Sequence, residues 1–298
     1  MVVRREDIHE VEIDLTGTCN LSCYICSRNF THSEHMVKRN IRSLSEITSQ
    51  LDTFPNLKTF MLAGVVSEPT LYPDFFGLLG YLNGRNIKYD IHSNGNTHDR
   101  GWWEELGQMV PKDCKMIFTI CGSTQEIHGK YRVGSNLQQI LNNAESFRKN
   151  NRKNDYVQFI RFEYNESELH LGNMDLIFRQ FSNRIIVHSE GIRMDDRKKR
   201  ENPPDVRPPK DIDAKIRYIF KRCRSGNSRV NCKLDRWKKI YIDQFGNLFP
   251  CYTYAEYGFP PLGRFDDEFN VDEIVLDKFD TCFLCSDEAE KLMKTLGV

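Results

Sequence analysis

Three cysteines within eight residues, Cys19, Cys23 and Cys26, constrain this chain more than any other feature. They follow directly on a short apolar alternation, Val11–Leu15, that reads as a strand. One loop with this CxxxCxxC spacing can reach several corners of a single metal centre. Thiolates are natural ligands for both iron–sulfur clusters and zinc. Three of them suit a four-iron cluster with one iron left open. Zinc needs a fourth ligand, which His9 or His32 would have to supply. The spacing by itself leaves both open.

The remaining cysteines stand at 114, 121, 223, 232, 251, 282 and 285, so four gather near the C-terminus. A disulfide framework belongs to small secreted chains. This chain has 298 residues, 39% of them hydrophobic, and 19 Phe, enough for a real core without staples. Its opening residues, MVVRREDIHEVEIDL, lack the apolar run of a signal peptide. No stretch approaches the roughly 20 apolar residues that cross a bilayer. The sequence therefore predicts a soluble, cytoplasmic protein with no membrane partner. Its 42 basic and 42 acidic residues balance, so no nucleic-acid partner is expected.

Strand-like and helix-like segments alternate from 11 to 188. Strands are predicted at Val11–Leu15, Thr59–Val65, Lys88–His92, Met116–Ile120, Val157–Phe162 and Arg184–His188. Helices are predicted at Ser43–Phe54, Asp74–Leu82, Gly101–Met109, Asn136–Asn150 and Met174–Phe181. Six βα units imply an α/β fold with a parallel sheet, too short to close an eight-stranded barrel. A partial (β/α)6 barrel is expected over residues 1–194. A charged, proline-rich linker follows at 195–215, then a small cysteine-rich domain built on a β-hairpin at 216–298. In parallel α/β folds ligands bind at the carboxyl ends of strands. The first cysteine loop, Glu68, Ser93-Asn94 and Cys121 all fall there.

The second cysteine set carries its own geometry. IYIDQFGNLFPC reads as two strands around a turn at Gln244–Asn247, which would hold Cys232 and Cys251 near each other. Cys282 and Cys285 add a CxxC pair. Four thiolates make a closed site, for which spacing alone favours structural zinc.

A cysteine triplet of this form after the first strand resembles the radical S-adenosylmethionine superfamily. The segment Ala63-Gly64-Val65-Val66-Ser67-Glu68-Pro69-Thr70 resembles its glycine-rich "GGEP" stretch, which receives the methionine amino group. His92-Ser93-Asn94-Gly95 resembles its ribose-contacting turn. Thr119-Ile120-Cys121-Gly122, with His128 and Tyr131-Arg132, resembles its "SIDG…H…YR" run. Three positions depart from the pattern: Ile25 stands before the third cysteine, the glycine pair is Ala63-Gly64, and Cys121 replaces an aspartate.

The resemblance implies a 4Fe–4S cluster on Cys19, Cys23 and Cys26 with S-adenosylmethionine bound at Ala63, Gly64, Glu68, Pro69, Ser93 and Asn94. It implies reductive cleavage to a 5′-deoxyadenosyl radical that abstracts a substrate hydrogen, fed by a reductant such as flavodoxin or ferredoxin. Cys232, Gly246, Cys251 and the Cys282–Cys285 pair are similar to the twitch domain, a short SPASM domain. That similarity implies a second, auxiliary 4Fe–4S cluster on Cys232, Cys251, Cys282 and Cys285. The expected activity is oxidation of a small molecule. Modification of a peptide is the alternative, with only about ten residues before the first strand to recognise a leader. A non-catalytic zinc protein is the third reading. Cys121 reads either as a small buried filler or as a hydrogen-atom donor. Arg132, whose planar fork matches a carboxylate, is a candidate contact for substrate or cofactor. Arg161 and Glu163, two residues apart, would share one face of the fifth barrel strand.

Overall fold

Alternating apolar residues make the strands, and the structure shows what each side of the alternation meets. It is a computed structural model that describes residues 2–30, 34–151, 153–188, 206–212, 214–215, 218, 238–263, 269–270 and 287–296. After β1 (Val2–Val3), the six predicted barrel strands are β2 (Glu10–Ile13), β3 (Thr59–Leu62), β4 (Lys88–Ser93), β5 (Lys115–Thr119), β6 (Asp155–Arg161) and β7 (Asn183–His188). They lie in chain order and pair in parallel, β2 to β7. Right-handed helical crossovers are the rule for such connections.

The helices between the barrel strands are α1 (Ser27–Phe30), α2 (Leu44–Asp52), α3 (Phe75–Gly84), α4 (Arg100–Met109), α5 (Gln125–Tyr131), α6 (Leu137–Arg148), α7 (Ser167–His170) and α8 (Asp175–Phe178). Their starts are written in the sequence. Ser43 and Glu46 form a capping box at α2, Asp99 accepts from Trp102 N at 3.0 Å, and Asn136 from Gln139 N at 3.0 Å. Helix α8 is shorter than the predicted Met174–Phe181.

Val11, Ile13, Phe60, Leu62, Ile91, Phe118, Val157 and Phe159 form one core with Leu51, Leu78, Trp103 and Phe147 of the helices. Residues of opposite parity, among them Glu12, Met61, Asp90, His92, Lys115 and Gln158, therefore face the concave side. The result is an α/β partial barrel with a polar interior.

The predicted hairpin forms from β8 (Lys239–Ile242) and β9 (Leu248–Phe249), which pair antiparallel. The Asp243 carboxylate accepts from Phe245 N and Asn247 N, both at 2.9 Å, and fixes the turn. β8 also pairs in parallel with β2, from Glu10↔Lys239 to Ile13↔Ile242. The hairpin thus continues the barrel sheet, in the order β7-β6-β5-β4-β3-β2-β8-β9. β1 pairs separately with β10 (Phe269–Asn270). Among the described residues no helix is long and apolar enough to cross a membrane.

Candidate active site

The carboxyl ends of β2, β3, β4 and β5 surround a cavity of about 240 Å3. Cys19, Cys23 and Cys26 of the cysteine loop line it together with Ala63, Gly64 and Glu68 after β3, Ser93 and Asn94 at the end of β4, and Arg132 after α5. Every predicted cofactor residue except Pro69 lies on this cavity. Pro69 is buried behind it, opening a 3-10 turn (Pro69–Leu71) whose cap is Glu68.

The cysteine loop is held from both sides. Leu21 N donates to Cys19 Sγ at 3.4 Å, and Asn94 Nδ2 approaches the same sulfur at 3.8 Å. Arg28 donates to Gly17 O at 2.5 Å and Val66 O at 2.6 Å, tying the cysteine loop to the glycine turn. Burial, helped by Glu68, pushes the Cys19 thiol up to about 11. Burial, helped by Cys23, pushes Cys26 to about 12. Protein surroundings of this kind disfavour thiolates unless a cationic metal centre sits among them.

Glu68 is 3% exposed, and both its oxygens are engaged. Asn94 N donates to one at 2.8 Å; Ser93 Oγ (2.7 Å) and Thr70 Oγ1 (2.8 Å) donate to the other. Burial raises its pKa, and these donors oppose the rise. Glu68 thus locks the glycine turn to the Ser93-Asn94 turn instead of offering a free carboxylate. Asn94 Nδ2 reaches Asn20 Oδ1 at 2.8 Å, so Asn94 joins the cysteine loop through its side chain and the Glu68 turn through its backbone N–H.

Gly64 explains the shape of its turn. Its φ is +57°, and a Cβ would lie 2.0 Å from Ser67 O. Sequence reasoning missed the residue that holds this turn from beneath, Asp14. Its carboxylate is fully buried and accepts from Val65 N (3.1 Å), Val66 N (3.3 Å), Ser67 Oγ and Tyr241 Oη (2.6 Å). Its one signal in the sequence is an acid closing an apolar strand, on the parity of Glu10 and Glu12. Arg28 carries no comparable signal.

His128 and Tyr131 lie on α5, and Arg132 caps it. His128 Nδ1 accepts from Cys121 N at 3.1 Å, so Nε2 carries the proton and donates to Ser135 Oγ at 2.6 Å. Burial, with Arg132 nearby, lowers the imidazole pKa to about 3. Cys121 follows its strand as predicted, but its side chain packs with Leu21, Cys23, Tyr131, Phe162 and Val206. It hydrogen-bonds Arg132 and does not line the cavity. Burial works against the Arg132 charge, yet the Cys23 and Cys121 sulfurs outweigh it and hold its pKa up. Arg161 pairs with Glu166, and Glu163 with Arg207. Neither lines the cavity, and Glu163 falls in the 3-10 turn after β6, so the two do not share a strand face as expected.

The donor set fits a cluster and its cofactor. Three soft thiols line the cavity, as does Arg132, whose Nε is buried without a hydrogen-bond partner among the described residues. An anionic group in the cavity would supply that partner. Among the described residues, no three His, Cys, Asp or Glu side chains converge as for one ion. The corners of a cubane stand farther apart than the ligands of a single ion. Of the second cysteine set only Cys251 is described, beside β9 at the start of a short helix (Tyr252–Glu256). Cys232, Cys282 and Cys285 lie outside the described residues.

Residues 13–169 match the Radical SAM superfamily, from β2 through α7. The chain belongs to that superfamily. Membership implies an enzyme that uses a 4Fe–4S cluster and S-adenosylmethionine. In three dimensions the chain is similar to native anSMEcpe with bound AdoMet, at 16% identity and a TM-score of 0.60, over 96% of this chain and 82% of that one. It is likewise similar to Streptococcus suis SuiB bound to precursor peptide SuiA, at 15% identity and a TM-score of 0.59, over 95% of this chain and 70% of that one. At these identities the likeness is one of fold. No curated protein sequence matches the chain.

Proposed function

We propose that this protein cleaves S-adenosylmethionine reductively at a cluster held by Cys19, Cys23 and Cys26. We read the outcome as oxidation, or a related modification, of a small molecule. The observation that carries the reading is the single cavity shared by those cysteines, Gly64, Glu68, Asn94 and Arg132. When bound, the cluster and cofactor supply a 5′-deoxyadenosyl radical able to take a hydrogen atom from substrate.

The chain's own residues do the rest. Ala63 and Gly64 would let the methionine end of the cofactor approach their backbone, because neither presents a long side chain. Glu68 holds the Ser93-Asn94 turn, which would contact the ribose of a bound cofactor. The unpaired Nε of Arg132 suits the cofactor's carboxylate. His92, Thr119 and Gln158 give the concave side of the cavity neutral hydrogen-bonding groups for a polar substrate. A peptide is the second reading, since SuiB, of the same fold, is bound to a precursor peptide. An electron donor of the flavodoxin or ferredoxin type would feed the cluster.

We assign the core to 1–194, a linker to 195–215 and a twitch-like domain to 216–298. Cys232, Cys251, Cys282 and Cys285 would hold an auxiliary 4Fe–4S cluster there. After anaerobic reconstitution about eight irons are expected per chain, falling to about four in a Cys19→Ala, Cys23→Ala, Cys26→Ala variant. 5′-Deoxyadenosine production under dithionite should vanish in that variant. Zinc with no more than about four irons in the wild type would sink the auxiliary cluster. Iron-loaded protein that makes no 5′-deoxyadenosine would sink the radical reading.

A further inference from the structure

Among the described residues, Asp14 is the one buried carboxylate at which the end of a barrel strand, the glycine turn and the hairpin meet. A carboxylate offers about four lone-pair sites. Here Val65 N, Val66 N, Ser67 Oγ and Tyr241 Oη occupy them. Three of these donors belong to the turn that carries Gly64. The fourth, Tyr241, is fully buried on β8 and stands opposite Glu12 in the parallel register. The same hairpin leads through β9 to Cys251.

The bonds are not interchangeable with solvent. Asp14 and Tyr241 are both fully buried, and Val66 is 1% exposed. Two adjacent amides pointing at one carboxylate fix the peptide planes on either side of Val65. Those planes decide where Gly64 and Ala63 present their backbone to the cavity. If β8 shifted along β2, the Tyr241 hydroxyl would leave Asp14, and the carboxylate would be free to turn from the amides.

We propose that Asp14 is a positioning residue for S-adenosylmethionine, and that Tyr241 makes its aim depend on how the hairpin is seated against β2. The inference rests on the reading given under Proposed function. It adds a mechanical connection between the cofactor turn and the C-terminal hairpin. Arg28, which bonds Val66 O from the opposite side, holds the turn against the cysteine loop. The turn is therefore clamped between the first cluster loop and the hairpin.

Hydrogen–deuterium exchange on the reconstituted full chain tests the clamp without turnover. In Asp14→Asn, the amides of Val65 and Val66 should exchange about tenfold faster, the worth of a lost charge-assisted hydrogen bond. Tyr241→Phe leaves Asp14 in place and should speed the same two amides by a smaller factor, while β4 and β5 keep wild-type protection. Titration with S-adenosylhomocysteine then reads the aim: affinity should fall about tenfold in Asp14→Asn and less in Tyr241→Phe. Unchanged exchange at Val65 and Val66 in both variants overturns the clamp. So does an acceleration spread evenly over the whole sheet, which would mark a merely structural role. Faster exchange with unaltered affinity overturns the positioning role alone. A wild-type protein that neither binds S-adenosylhomocysteine nor makes 5′-deoxyadenosine overturns the functional reading and takes the proposal with it.

Discussion

At the scale of single residues, Asp14 shows how hydrogen bonds and burial oppose each other. Burial pushes its carboxyl up to about 6; the Ser67, Tyr241 and Val66 donors pull it back only in part, and Glu12 adds repulsion. The native state therefore binds this proton more tightly than the unfolded chain, where the ordinary value is 3.8. The resulting contribution to stability is complete below 3.8 and is lost as pH rises through 6. Two pKa units correspond to about 3 kcal/mol. Asp14→Asn does not titrate, so its stability relative to wild type should rise by about that amount between pH 4 and 7. His128, held near 3, titrates with the opposite sign over part of the window, but equally in both proteins. Urea unfolding at several pH values measures the difference. A flat difference would mean that Asp14 titrates normally. The same substitution is expected to loosen the cofactor turn, so its loss of S-adenosylhomocysteine affinity should persist at neutral pH, where its stability relative to wild type is highest.

At the scale of elements, Gly64 makes the turn after β3. With φ at +57° and Ser67 O only 2.0 Å from an added Cβ, alanine there strains the backbone and clashes with it. Gly64→Ala should cost about 1–3 kcal/mol of stability and more than about tenfold in affinity for S-adenosylhomocysteine. Calorimetric titration beside thermal unfolding checks both, and full affinity in the variant would show that the turn tolerates rearrangement. The glycine's importance was legible in the sequence, because the turn motif and its small residues are local. The strands were legible for the same reason: Thr59–Leu62 and Lys115–Thr119 announce themselves by short apolar runs and the helices by Ser43 and Asn136 caps. The hairpin was legible as a hairpin. Its place beside β2 was not, since the pairing joins residues as far apart in sequence as Asp14 and Tyr241, separated by 227 positions. Cys121 was placed correctly at a strand end, but alternation sets no side-chain direction once a strand has stopped. Its thiol turned behind Arg132.

At the scale of the whole molecule, the seam between β2 and β8 joins the N-terminal barrel strand to a hairpin from the far end of the chain. Lys239 sits in that seam, 2.9 Å from Glu10 and 3.0 Å from Glu12, with side chains 9%, 28% and 6% exposed. Burial works against the Lys239 charge, but Glu12 and Glu10 outweigh it and raise its pKa. A buried ion pair contributes little over an apolar pair of the same shape, yet removing one partner leaves a buried charge uncompensated. Lys239→Met should therefore destabilise the protein by about 3 kcal/mol or more. The added change Glu12→Gln should recover much of the loss, because it removes the buried carboxylate that Lys239→Met leaves without its cation. The two single variants and the double variant, unfolded in urea, give the coupling directly. Additive losses would show that the three charges act separately and that the hairpin is held by its backbone ladder and apolar packing alone. A strong rescue would show that charge pairing keeps β8 in register on β2, the same register that delivers the Tyr241 hydroxyl to Asp14.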